Sequence, residues 1–146
     1  MAAVALESQG TNFYVWNTVL SPDAWDPICI TDFNGPGGSA SVIDVTTLCS
    51  TRKEKLMGLP DEGQFSINGN YLPDDTGQAF LQTLRSGRTL GSFRCSLSDS
   101  PITHITFSGY VLSFQIAGGV DAKVTFSATI EISGEVDWDA TSEAGP

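Results

Sequence analysis

Apolar and polar residues alternate from Ala122 to Val136, with apolar or small residues at the even positions. The odd positions carry charged or hydroxyl side chains. Because side chains two residues apart point to the same face of a β-strand, the pattern predicts a strand with one face on a core and the other in water. The segment is long compared with an ordinary strand of about six residues.

A second strand is predicted over residues 104–116, ending in the turn Ala117-Gly118-Gly119. Its apolar positions are odd near the start and even from Tyr110 onward. Gly109 lies where the phase changes, and a β-bulge there would account for the shift. Residues 104–136 are therefore expected to form a long antiparallel hairpin.

The rest of the chain predicts shorter strands around a flexible glycine-rich loop at residues 34–38. Pro27 lacks a backbone N–H, so a strand that contains it belongs on a sheet edge. The expected short strands cover residues 13–17, 25–33, 42–48, 65–71 and 92–98.

One helix interrupts the strands, at about residues 76–86. Asp75 is its expected N-cap, Gln78 the capping-box partner and Gly87 the residue that stops it. So short a helix is marginal alone in water and must pack on a sheet. Its apolar stripe consists of Phe80, Leu81 and Leu84.

Residues 50–64 are expected to form a long loop, which is unusual where most connections have about four to six residues. The loop carries three of the seven basic residues of the chain, followed at once by an apolar cluster. It is either a mobile surface loop or a segment that becomes ordered against a partner, and both interpretations stay open. The residues concerned are Arg52, Lys53, Lys55, Leu56, Met57 and Leu59.

Composition narrows the possible functions. The formal charge of −10 on 146 residues disfavours autonomous binding to free nucleic acid, which needs basic groups to displace counterions. No window is apolar for long enough to span a membrane, and the first residues, MAAVALESQG, do not resemble a signal peptide. The sequence predicts one mainly β domain over residues 1–146, antiparallel and sandwich-like or barrel-like, with one short helix and a long central loop. Within these bounds the chain begins with an arm at residues 1–12 and ends with an acidic tail at residues 138–146, including Asp139 and Glu143.

Motifs for catalysis or metal binding are missing from the sequence. Cys29, Cys49 and Cys95 contain no C-x-x-C pair and are expected to be small buried thiols of a reducing compartment, not zinc ligands. His104 is the only histidine and lies in a strand-like run, which favours a structural or surface role. With no P-loop, dinucleotide fingerprint or H-E-x-x-H motif, we expect no enzyme activity, no cofactor and no metal.

Four short segments occur in a characteristic order and spacing around the helix: DDTGQAFL at residues 74–81, FSGYV at 107–111, VTF at 124–126 and ISG at 132–134. With these segments, the order of elements in residues 63–136 resembles the tail tube proteins (major tail proteins) of lambda-like bacteriophages with long, non-contractile tails. The first sixty residues match only in layout.

The resemblance implies a tail tube fold in hexameric rings, stacked into a tube that conducts the genome into the host. Partners would be other copies of the chain, the tape measure protein and the tail terminator and tip proteins, with transient passage of DNA and no membrane. The protein would lie in the virion tail after assembly in the host bacterial cytoplasm. The long loop would contact neighbouring subunits or the next ring. Expected lumen-facing residues are Asp44, Thr125, Ser127, Thr129, Glu131, Ser133 and Glu135.

Other functions stay open at this point. A carbohydrate-binding β-sandwich could use Trp16, Trp25 and Trp138 as stacking platforms, with Asp137 and Asp139 binding calcium. Packing in a core or interface is the simpler role for the tryptophans. An enzyme is least supported, because the neighbouring carboxylates of Asp74-Asp75 seldom flank one bond and Asp75 already has a capping role. The odd face of the last strand is likewise either a lumen lining or plain solvent-exposed surface.

Overall fold

The computed structural model describes residues 10–98 and 103–138. The strands of the first half are β1 (Asn12–Asn17), β2 (Ala24–Ile28), β3 (Asp32–Asn34), β4 (Ser39–Asp44), β5 (Lys55–Asp61) and β6 (Gln64–Asn70). The second half contains α1 (Thr76–Gly87), β7 (Gly91–Ser96), β8 (His104–Ala117) and β9 (Thr125–Ile132). Seven strands form one sheet in the order β2-β1-β7-β8-β9-β6-β3, and β4 and β5 form a separate two-stranded sheet.

The large sheet is strongly curled. Its edge strands, β2 and β3, are consecutive in the chain and joined by residues 29–31. A flat sheet would separate its edges by about 29 Å at ~4.8 Å per strand, whereas so short a link spans at most about 14 Å. The sheet therefore bends back on itself, and the rings of Phe13 on β1 and Phe65 on β6 stack at 5.5 Å.

The core lies inside this curl, where one face of every long strand is apolar and buried. On β9 the even residues are buried, as the alternation predicted. The helix contacts β8, β1 and β2, and its stripe of Phe80, Leu81 and Leu84 is buried. The prediction of a mainly β, antiparallel, sandwich-like fold with one helix is confirmed. The barrel stays open because β2 and β3 do not pair.

Strands β8 and β9 pair antiparallel, as predicted, but their details differ from expectation. Strand β9 covers only Thr125–Ile132, since Gly134 adopts a positive φ of 89° and breaks it before the buried Val136. The bulge lies at Leu112, between partners Val111 and Ser113, and not at Gly109. Gly109 has another role: a Cβ there would collide with the carbonyl oxygen of Glu131 on β9.

The helix ends differ in part from the prediction. Asp75 is the N-cap and accepts a hydrogen bond from the Gly77 N–H, as expected. The prediction of a capping box is wrong. The Gln78 side-chain amide instead forms hydrogen bonds with the backbone of Asn70 and Leu72, before the helix. The left-handed residue is Arg88, with Gly87 still helical. Among the described residues, no helix is long and apolar enough to cross a membrane.

The largest differences lie in the first half. The strand predicted over residues 25–33 is two strands, because the chain leaves one sheet edge after β2 and joins the other at β3. Pro27 does lie on an edge strand, as predicted. The strand expected at 42–48 is β4, which begins and ends earlier, and the loop expected at 50–64 contains β5.

The expectation of three buried cysteines holds only for Cys95, which is fully buried in the core. Cys29 is exposed in the link between the sheet edges, and Cys49 is exposed in the connection between β4 and β5. His104 is buried and structural, with its Nδ1 2.7 Å from the Ser96 hydroxyl on the paired strand β7.

We expect a thiol reagent to modify two of the three cysteines in the native, unassembled protein. Burial raises the pKa of Cys95 to about 12, so that thiol is neutral and inaccessible near neutral pH. Mass spectrometry after alkylation should find Cys29 and Cys49 labelled within minutes and Cys95 labelled only in denaturant. Rapid native labelling of Cys95 would contradict the packing described here.

Candidate functional site

A continuous polar surface covers the outside of the sheet on β3, β6, β9 and the second half of β8. The pairing register places its residues side by side in rows across the four strands. We call this surface the polar face. Its residues are Asp32, Asn34, Gln64, Ser66, Asn68, Asn70, Ser113, Gln115, Thr125, Ser127, Thr129 and Glu131.

Side-chain hydrogen bonds order the middle of the polar face. The Asn68 amide donates to the Asp32 carboxylate at 2.5 Å and accepts from the Ser127 hydroxyl at 2.6 Å. This row joins β3, β6 and β9. The polar face as defined contains hydroxyl and amide groups and two carboxylates, Asp32 and Glu131, and no lysine or arginine.

The structure brings together four of the expected lumen residues and separates the other three. Thr125, Ser127, Thr129 and Glu131 share the polar face, whereas Ser133 and Glu135 follow the end of β9 and are exposed. Asp44 lies on β4 in the other sheet. Its carboxylate accepts the Thr46 N–H at 2.9 Å, and hydrogen bonds from Thr46 lower the pKa of Asp44 below its usual value.

The second half of β8 has an unpaired edge beside the polar face. Strand β7 pairs with β8 only from His104 to Gly109, and beyond that point β8 pairs with β9 alone within the described residues. Strand β8 carries no acidic, lysine or arginine residue, and both Leu112 and Ile116 are about half exposed. Such an edge is a ready template for another strand.

Strands β4 and β5 form a projecting hairpin, residues 39–61, whose extensive contacts in the described chain are between its own two strands. Val42 pairs with Met57 on one face and Ile43 with Leu56 on the other, and all four side chains are exposed. An isolated two-stranded hairpin is marginal in water, and two apolar faces need two covering surfaces.

All six residues predicted for the inter-subunit loop lie on this projecting hairpin and are exposed. Arg52 and Lys53 are at its tip, where Thr46 exchanges hydrogen bonds with the backbone of Glu54. The other four lie on β5, where Leu59 is 93% exposed. These six are Arg52, Lys53, Lys55, Leu56, Met57 and Leu59.

Glycines fix the point where the projecting hairpin leaves the large sheet. Gly37 and Gly63 form a parallel β-bridge, and a Cβ on Gly63 would collide with the Gly37 carbonyl oxygen. On the other side, the Ile132 N–H donates to the Gly63 carbonyl at 3.0 Å. The base of the hairpin is thereby tied to the end of β9.

The residues proposed for sugar or calcium binding are not arranged as a binding site. Trp16 and Trp25 pack edge to face at 5.2 Å, and the Arg94 guanidinium lies 4.5 Å from the Trp25 ring centre. Trp138 is more than half exposed, and the backbone of Asp137 pairs with Thr106. Asp139 lies outside the described residues, as do Glu143, residues 139–146 of the predicted tail and residues 1–9 of the predicted arm. In the described chain, no group of three or more His, Cys, Asp or Glu side chains is arranged to hold a metal ion.

Comparison with solved structures defines the class of fold. A chain of the anti-feeding prophage (AFP) baseplate matches with a TM-score of 0.74 and 9% identity over 94% of this chain and 96% of that one. A chain of the tail of an empty GTA particle matches with a TM-score of 0.67 and 18% identity, over 92% of this chain and 99% of that one. A chain of the SPP1 tail tube matches with a TM-score of 0.62 and 10% identity, over 92% of this chain and 80% of that one. At these identities the likeness establishes the fold, which is that of tail tube proteins.

The sequence then identifies the family. Residues 4–142 match the family described as phage tail tube, TTP, lambda-like, and the chain belongs to that family. It is a structural tail tube protein of a phage virion, as the resemblance implied. No curated protein sequence matches it significantly.

Proposed function

We propose that this chain forms hexameric rings that stack into a tail tube, with the polar face lining the lumen, and that the tube conducts the genome into the host. The observation that carries the proposal is the edge of β8 beyond Gly109, which pairs with no described strand other than β9 and borders the polar face. The side chains of this segment are uncharged, and one of its carbonyls, that of Leu112, accepts a hydrogen bond from Arg85 on the helix. A second copy can cover that edge by adding a strand. Six-fold and C6 symmetry in two of the similar structures supports six copies.

The dimensions are consistent with this assembly. Strands β3, β6, β9 and the second half of β8 would give each copy four strands of a continuous inner wall. Six copies at ~4.8 Å per strand and ~40° tilt give a circumference of roughly 150 Å. After side chains are subtracted, the bore is on the order of 35–40 Å, wide enough for a hydrated DNA duplex.

The chemistry of the polar face suits passage of DNA without adhesion. Lysine and arginine hold phosphates through counterion release, and the polar face contains neither. Its carboxylates, Asp32 and Glu131, repel phosphate weakly, because salt screens charges within about 8 Å. Hydrogen bonds among Asp32, Asn68 and Ser127 also leave fewer free groups to bind the DNA.

In this proposal the projecting hairpin forms the contacts between neighbouring rings. Its two exposed apolar faces would be covered by neighbouring copies, and its basic tip would steer docking. Ser133, Glu135 and Asp44 then lie outside the lumen lining, near the base and tip of this hairpin.

The finer assignments follow from tail tube function. We infer that the tube ends against tail terminator and tip proteins, encloses a tape measure protein during assembly, and is built in the host bacterial cytoplasm. The chain would act without catalysis and without a cofactor. Asp75, the strongest acidic candidate for chemistry, is used as a helix cap.

Electron microscopy of the purified protein tests the proposal directly. We expect rings of six copies and stacked hollow tubes at high protein concentration. A reconstruction should place Ser127 and Thr129 on the inner wall. Particles that remain monomeric at millimolar concentration, or a lumen lined by another face, would refute it.

Placing positive charge on the polar face should slow genome release. The variant Ser127→Lys/Thr129→Lys adds two cations per copy to the inner wall, and we expect ejection to be at least about tenfold slower at low salt and to recover at high salt. A fluorescent DNA-release assay on assembled phage measures the rate. Gln82→Lys/Ser86→Lys places the same charge on the exposed surface of the helix and should eject normally. Equal rates for the two variants would contradict a lumen position for the polar face.

A further inference from the structure

We propose that the tip of the projecting hairpin binds a groove at the base of the same hairpin on another copy of the chain. This inference rests on the proposed tube function and names the surface that binds the hairpin tip. The groove lies between the end of β5 and the end of β9 and encloses about 420 Å³. Its lining residues are Pro60, Asp61, Glu62, Ile132, Gly134 and Glu135.

The lining of the groove combines apolar and acidic residues. Ile132 and Pro60 are apolar, and Asp61, Glu62 and Glu135 carry carboxylates. No lysine or arginine lines it. A ligand that fits would therefore present an apolar side chain together with nearby cations.

The hairpin tip has this composition. Leu48 at the tip is fully exposed, and Arg52 and Lys53 follow it, also exposed. The tip is pre-organised, because Thr46 bonds Glu54 across the strands and the Thr47 N–H donates to the Ser50 hydroxyl at 3.1 Å. A pre-organised tip loses less conformational entropy when it docks.

Outside the projecting hairpin, no described cation matches the groove as well. Arg94 is buried against Trp25, and the Arg85 guanidinium bonds the Leu112 carbonyl at 3.4 Å. Arg88 and Lys123 are exposed but lie on separate elements, without a second basic residue next to either. The tip is the exposed site where basic residues are adjacent in sequence.

The tip cannot reach the groove of its own chain. Ser39 pairs with Asp61 at the base, and hydrogen bonds between the strands continue to Thr46 and Glu54. Seven residues of extended strand at ~3.4 Å each place the tip about 24 Å from the base. The contact is therefore between copies, and because tip and groove differ, it is a head-to-tail contact that can repeat from one ring to the next along a stack.

Charge reversal tests the contact. We expect Arg52→Glu/Lys53→Glu to raise the protein concentration needed for stacking at least about tenfold, because six contacts per ring are lost together. Arg88→Glu/Lys123→Glu changes the net charge equally and should stack like wild type. Glu62→Lys/Glu135→Lys should impair stacking as the tip variant does, although its net charge changes in the opposite direction.

Combining both reversals distinguishes a direct contact from a general charge effect. The fourfold variant restores opposite charges across the contact and should recover stacking in light scattering and negative-stain microscopy. Tip variants that stack like the control, or a fourfold variant that fails while rings still form, would overturn the inference and leave the tube function standing. Absence of tubes from the wild-type protein would instead refute the tube function.

Cross-linking measures the proximity itself. With Cys29→Ser as background, Glu135→Cys places a thiol in the groove that can meet the native Cys49 at the tip of another copy. Mild oxidation of assembled tubes should give disulfide-linked ladders on non-reducing gels. Ser127→Cys on the polar face is the control. Ladders no stronger than the control would contradict the contact.

Discussion

Replacing residues 40–60 with an Asn-Gly turn should abolish tube formation and leave the rest of the protein folded. Ser39 and Asp61 are directly opposite in the β4–β5 pair, so a two-residue type I′ turn joins them without strain. No buried core residue lies on the excised segment. We therefore expect a thermal midpoint within a few degrees of the wild-type value and a monomer or single ring in sedimentation velocity.

A milder variant separates loss of apolar contacts from loss of the whole arm. Leu48→Asp/Met57→Asp/Leu59→Asp keeps the hairpin but removes three of its exposed apolar side chains, and it should also fail to form tubes. Val19→Asp/Leu90→Asp/Val120→Asp changes exposed apolar residues elsewhere and should assemble nearly normally. Normal tubes from the excision variant would show that the rings are held by other surfaces.

Phe65→Ala should produce the largest loss of stability of any single substitution. The ring is fully buried and lies 5.1 Å from Phe107, 5.5 Å from Phe13 and 6.0 Å from Phe33. It thus contacts rings from strands on both sides of the curl. We expect a cost of about 3–5 kcal/mol, a large share of a total near 5–15 kcal/mol.

Urea denaturation of the unassembled protein measures this loss. The unfolding midpoint should fall sharply with little change in slope, and the thermal midpoint should drop by about 10 °C or more. Phe65→Leu refills much of the space and should cost under about 1.5 kcal/mol. Tyr110→Ala removes a ring that is 43% exposed and should cost less than Phe65→Ala. A loss under about 1 kcal/mol for Phe65→Ala would show that the curl does not depend on this ring.

The strands that could be predicted from the sequence are those with one apolar, buried face and one polar, outward face. Along β9 the buried and outward residues alternate because the core lies on one side and solvent on the other. Strand β5 could not be recognised in the same way, since Leu56, Met57 and Leu59 give apolar residues on both faces and Pro60 argues against a strand. Its partner in the fold is another short strand and not the core, so the usual alternation is absent.

The position of the bulge shows a similar limit. Gly109 marked a change of phase in the sequence, but Val111 continues the buried set and the extra residue is Leu112. A glycine can serve a bulge or a close backbone approach, and only the pairing register distinguishes these. In this structure the close approach of the β9 backbone explains the glycine at position 109.

The polar face was predicted in part. Alternation along β9 identified Thr125, Ser127, Thr129 and Glu131. Their partners on β3 and β6 were missed, because pairing between strands distant in sequence is set by the whole sheet. Polar residues at alternating positions, Ser66, Asn68 and Asn70, were the available signal.

Strand β8 has a mechanical consequence for the assembled tail. It runs without interruption from the part of the sheet under the helix into the part that carries the polar face, paired with β7 in its first half and with β9 in its second. A tensile or shear load on one of these two parts of the sheet is therefore transmitted to the other part through the covalent backbone of β8, and the subunit behaves as a stiff block. In the proposed assembly, the compliance of a curving tail would reside in the contacts between rings, and its flexural rigidity would depend on the elasticity of the projecting hairpin.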